Sequence, residues 1–107
     1  MNLQYFTLLI LSNLFFLANG NAQAIPMTFH NGSLKSIPLQ IPGVMNPNLS
    51  PLSDSGVTLE VGQKVFYFPN GKKGRKDLLF EVDNTFRKDT ILQIDEMIKQ
   101  KKKQLSE

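Results

Sequence analysis

The chain contains no cysteine. That excludes disulfides, thiolate nucleophiles, cysteine metal ligands and lipid attachment through a lipobox cysteine. It has one histidine, His30, so a zinc or copper site would have to be completed by carboxylates alone. No Gly-x-Ser-x-Gly elbow, Asp-x-Asp-x-Asp-Gly calcium loop or phosphate-loop pattern occurs. No internal repeat is present either. These absences predict no cofactor, no metal and no catalysis.

Charge is missing from one end. The first 24 residues hold no Asp, Glu, Lys or Arg, and an apolar run of 14 residues spans Tyr5 to Ala18. A transmembrane helix needs roughly 20 apolar residues, so the run is short for a span. Ala22-Gln23-Ala24 has the A-x-A form of a cleavage site, and residues 1–24 read as a secretory signal peptide cut after Ala24. The n-region, Met1 to Gln4, lacks Lys and Arg, so an uncleaved anchor stays open as the alternative. Cleavage predicts a secreted or periplasmic protein beginning at Ile25, with no transmembrane segment left.

Every charge falls in Ile25 to Glu107: twelve Lys and Arg against nine Asp and Glu, net +3. This balance suits solubility and weak attraction to anionic surfaces, and is too small to argue for nucleic acid. A chain of this size buries only about 60–65% of its unfolded surface, so its stability should be modest.

Val57 to Asp83 carries the densest apolar content. Val65-Phe66-Tyr67-Phe68 and Leu78-Leu79-Phe80-Glu81-Val82 flank a polar loop with Pro69, Asn70, Gly71 and Gly74, which predicts an antiparallel hairpin. In its second arm Leu78, Phe80 and Val82 share one face and Leu79, Glu81 and Asp83 the other. Val57, Leu59 and Val61 alternate as a half-buried strand. Gly62-Gln63 after them suits a type II′ turn, or else a bulge in one long strand. Ile25 to His30 reads as an edge strand. Leu34 to Pro42 reads as a proline-bearing edge or extended segment, with Ile37, Leu39 and Ile41 to one side. Gly43 to Gly56 shows no period at all.

Near residue 90 a helix should begin. Thr90-x-x-Gln93 has the form of a capping box, and Asp89 adds negative charge beside it. Ile91, Ile94, Ile98 and Leu105 fall on one helical face, widened by Met97. The lysines that follow predict that firm packing stops near Ile98 and that Lys99 to Glu107 frays. The fold class is thus mainly β (α+β): a small antiparallel sheet or open barrel with one C-terminal helix packed on a face. One domain spans residues 25–98.

Several constellations could carry chemistry. A Ser-His-Asp set could use His30 with Asp54 or Asp83, giving a small hydrolase as the rival reading. Glu81 and Asp83, two apart on a strand, could form a carboxylate pair, although they belong to the face expected to be wet. Asp54 among Ser53, Ser55 and Asn48 is thin provision for calcium. Asn31-Gly32-Ser33 and Asn48-Leu49-Ser50 satisfy the N-glycosylation rule. Lys72, Lys73, Arg75 and Lys76 crowd the hairpin tip and could make a weak, salt-sensitive contact with anionic lipid or polysaccharide. The same charges could simply keep a sheet end soluble.

The strongest candidate surface is the loop Gly43 to Gly56. Val44, Met45, Leu49 and Leu52 alternate with Pro47 and Pro51, which restrict the backbone. An ordered loop presenting these side chains would be an adaptable apolar contact for an envelope or extracellular protein. The alternative is that they fold back as core.

Ile37 to Pro51 (IPLQIPGVMNPNLSP), with Ser55-Gly56-Val57 and Val61-Gly62-Gln63-Lys64-Val65, resembles small signal-bearing exported proteins of unknown function from Bacteroidetes-type bacteria. The resemblance implies a periplasmic or secreted setting and brings no activity. The chain therefore reads as an exported binding or interaction module. A small secreted hydrolase and a structural cell-envelope component stand as alternatives.

Overall fold

The computed structural model describes residues 24–71 and 74–106. The signal-peptide expectation lies outside these residues except for Ala24, which opens the first strand. Seven strands and a helix follow in order: β1 (Ala24–Asn31), β2 (Ile37–Gln40), β3 (Asn48–Leu49), β4 (Ser53–Glu60), β5 (Lys64–Tyr67), β6 (Asp77–Glu81), β7 (Thr90–Gln93) and α1 (Ile94–Ser106). They build two small sheets, β4-β1-β7 and β3-β2-β5-β6, which do not close into a barrel. The expected mainly-β class with one C-terminal helix holds.

β1 is central, not an edge. It pairs antiparallel with β4 along its whole length and parallel with β7 from Met27 to His30. Proline is tolerated here because a strand residue directs its N–H and C=O to the same side. The Pro26 carbonyl accepts from Asp89 N–H at 2.7 Å on the β7 side, just before that ladder begins. The missing N–H therefore removes no bond to β4.

Alternation along β1 buries Ile25, Met27 and Phe29 on one face, and Asn31 is next in that series. On β4 the same alternation buries Val57 and Leu59. The second sheet contributes Leu39, Leu49, Val65 and Tyr67, and the helix adds Ile94. Phe29 meets Phe80 edge-on with centroids 6.0 Å apart, and Phe80 stacks on Phe86 at 5.7 Å, so an aromatic chain crosses between the sheets.

The β5–β6 hairpin forms as expected, with one slip. Val65 pairs with Phe80 and Phe66 with Leu78, leaving Leu79 as a bulge. The extra residue reverses the phase of β6: Leu79 is buried while Leu78 is exposed. β4 and β5 do not pair with each other. The turn Glu60–Gln63 between them is a corner joining the sheets, closed by Gln63 N–H on the Glu60 carbonyl at 3.1 Å. Gly62 occupies its second central position with φ of 98°, which fits a type II turn and not the expected II′.

Two further corrections concern the loop and the helix. Residues 43–56 are not irregular: β3 pairs with β2, Met45 bridges to Ile41, and β4 already begins at Ser53. Thr90 to Gln93 is strand β7, and the helix starts at Ile94. Ile91 is consequently 60% exposed instead of lying on the helical core face. Packing does weaken after Ile98. Lys101 is half-buried, Leu105 is exposed, and the helix nevertheless continues to Ser106.

Candidate functional site

The features of interest gather where β1 ends. Asn31 continues the buried face of β1 and is 0% exposed. A carboxamide cannot be buried cheaply unless its polar atoms are satisfied. Here its amide nitrogen donates to the carbonyls of Lys35 at 2.8 Å, Ser50 at 3.1 Å and Leu49 at 3.3 Å. Two protons serve three acceptors, so at least one bond is shared. Its oxygen accepts from the Ser33 N–H at 2.9 Å and hydroxyl at 2.7 Å. One side chain thus fixes two loops, 32–36 and 50–52, against each other.

A backbone bond closes the same corner: Leu52 N–H donates to the Ser33 carbonyl at 3.1 Å. Leu52 is held with φ of 50°, in the left-handed region. For a residue with a Cβ this conformation is disfavoured by roughly 1–2 kcal/mol. Such strain persists only where surrounding bonds over-determine the backbone. The outcome is an apolar corner, with Leu34 81% and Leu52 65% exposed on backbones one hydrogen bond apart.

Polar groups border this corner. His30 and Asp54 are cross-strand partners on the outer face of β1 and β4. Their side chains meet, Nδ1 to Oδ1, at 2.5 Å. A carboxylate only accepts, so Nδ1 is the donor in this bond. Nε2 of His30 and Oδ2 of Asp95 lie 3.2 and 3.4 Å from where a β-carbon on Gly32 would be. The contact with His30 would be tight and that with Asp95 ordinary, so glycine spares the imidazole a displacement. Its N–H donates to Asp95 Oδ1 at 3.0 Å, anchoring the start of α1 to the end of β1.

The expected loop surface divides in two. Leu49 is 1% exposed and belongs to the core, so for this residue the fold-back alternative holds. Val44 and Met45 are 42% and 45% exposed on the β2–β3 turn, and Leu52 lies at the Asn31 corner. Sequence alone does not mark Leu34, since one leucine between Ser33 and Lys35 carries no period.

Lys72 and Lys73 at the hairpin tip lie outside the described residues. Arg75 bonds Asp77, with Nε to Oδ1 at 3.1 Å and a guanidinium nitrogen to Oδ2 at 3.3 Å. The Lys76 ammonium stands 4.9 Å from the Phe66 ring centroid. Both described cations therefore already have a partner within the chain.

The proposed chemical sets come together only in part. His30 and Asp54 are joined, but Ser33 directs its hydroxyl to Asn31 and Lys35, and Ser53 donates its own to Ser50. Among the described residues no serine hydroxyl is bonded to His30. Glu81 ends β6, whereas Asp83 lies beyond it. The Asp83 carboxylate accepts from the Thr85 hydroxyl and N–H, which holds its pKa below the usual carboxylate range. Among the described residues no group of three or more His, Asp or Glu could hold a metal ion, and no helix is long and apolar enough to cross a membrane.

No protein-family model matches this chain, and no curated protein or solved structure matches it.

Proposed function

We propose that this chain is a small exported binding module that engages an envelope or extracellular protein through the Leu34–Leu52 corner, without catalysis. The observation that carries this reading is the strained, exposed Leu52 beside Leu34. An exposed leucine alone says nothing, because apolar atoms make up much of any protein surface. Leu52 differs because it is exposed on a backbone held in an unfavourable conformation. A backbone already fixed by Asn31 and Ser33 has little freedom left to lose on binding, and such preorganisation favours affinity. The hydrolase alternative retains His30 and Asp54 but lacks a serine on the ring, and His30→Ala separates the two readings: a hydrolase loses its activity, a binding module keeps its partner.

The test is photo-crosslinking in the native host, with the reactive residue placed at position 34, 52 or 58. Thr58 is exposed on the outer face of β4 and serves as the control. Positions 34 and 52 should yield one common crosslinked protein that position 58 does not. Equal crosslinking from all three, or none from 34 and 52, contradicts the reading.

A further inference from the structure

Among the described residues the dipeptide Asn-Gly occurs twice, at Asn31-Gly32 and Asn70-Gly71. The pair is chemically reactive in any chain because glycine has no side chain to shield its amide nitrogen. That nitrogen loses its proton to solvent base and attacks the asparagine Cγ. A C–N bond forms, the ring closes as a succinimide, and the carboxamide nitrogen leaves as ammonia. Water then opens the ring at either carbonyl, giving aspartate or isoaspartate.

We propose that Asn70 is a site of spontaneous deamidation, and that the fold locks the identical pair at Asn31 against the same reaction. The two sites differ at both reacting atoms. Asn70 is exposed, and among the described residues nothing hydrogen-bonds its side chain. Among the described residues the Gly71 nitrogen has one bond, a long 3.3 Å contact with the Phe68 carbonyl, beyond the usual 2.7–3.2 Å range.

At Asn31 the leaving nitrogen donates to Lys35, Leu49 and Ser50 carbonyls inside the core. The attacking Gly32 nitrogen has its proton on the Asp95 carboxylate, and removing a proton beside a fixed negative charge is disfavoured. Reaction at Asn31 therefore requires the corner to open first.

The consequences differ as well. Conversion at Asn70 adds one negative charge to an exposed turn that also carries Arg75 and Lys76. Conversion at Asn31 would set a carboxylate against three carbonyl oxygens and release both loops. Among the described residues the pair is open where conversion adds charge to an exposed turn, and shielded where conversion would break the corner.

The experiment incubates the full chain at mildly alkaline pH, folded and in urea, and follows each asparagine by peptide mass mapping with an isoaspartate assay. In urea, Asn31 and Asn70 should convert at similar rates. In the folded protein Asn70 should continue close to its urea rate while Asn31 slows at least about 100-fold, the factor given by an opening free energy of about 2.8 kcal/mol. Asn70→Gln should abolish isoaspartate in the folded protein's peptides that cover residues 24–107. Folded Asn31 converting as fast as Asn70, or folded Asn70 slowed as strongly as Asn31, overturns the proposal.

Discussion

The backbone N–H of Gly32 donates to Oδ1 of Asp95 at 3.0 Å, across 63 residues of sequence. This bond joins the end of the central strand to the first turn of the helix. It also sets the Asp95 carboxylate, with Glu96, where the helix dipole favours negative charge. Asp95→Ala should therefore destabilise the fold by roughly 1.5–3 kcal/mol, the range for a hydrogen bond to a charged group. Urea unfolding measures it. Glu96→Ala, which keeps the Gly32 bond, should lower stability by well under half as much; equal losses would place the effect in the helix dipole alone.

Leu49 and Met45 belong to one hairpin but to different environments. Leu49→Ser removes a fully buried side chain and introduces a hydroxyl, so a loss of about 3–5 kcal/mol is expected. Met45→Ser acts on a side chain 45% exposed and should change stability by less than about 1 kcal/mol. Thermal unfolding of the two variants side by side checks the division of the loop into core and surface.

Tyr67 carries a defect of the core. The residue is 1% exposed, and among the described residues its hydroxyl has no hydrogen-bond partner. Tyr67→Phe should therefore stabilise the protein by roughly 1–2 kcal/mol, because the desolvated hydroxyl is removed without loss of packing. Burial, with Asp77 nearby, pushes the phenol pKa up. The unfolded chain then ionises first, so stability is constant below the ordinary value near 10 and falls as pH rises toward the folded value. Tyr67→Phe should flatten that alkaline decline. An equally steep decline in the variant would assign it to other groups.

How much of this was legible in sequence follows the physics of each element. The β5–β6 hairpin was readable because both arms are apolar and aromatic on either side of a loop that opens Pro69-Asn70-Gly71. The reversed phase of β6 was not, since a bulge at Leu79 depends on how the partner strand is met. Ser53 to Gly56 contains no apolar residue, so the first half of β4 is formed by its ladder with β1 and leaves no local signal. Thr90 to Gln93 satisfies a capping pattern and strand propensity equally, and its parallel pairing with Met27 to His30 decides between them. The burial of Asn31 could have been found by extending the alternation of Ile25, Met27 and Phe29 by one step. Leu34 could not, because its position depends on a hydrogen bond from Leu52.

The central claim is that the corner holds Leu52 outward for contact with a partner, and Leu52→Gly tests it most directly. Glycine adopts a φ of 50° without strain, so this variant removes the side chain while relieving the backbone. Thermal stability should stay level or rise by up to about 1 kcal/mol, while crosslinking from position 34 to the partner is lost. A stable Leu52→Gly protein that still crosslinks through position 34 as the unaltered chain does would contradict the account.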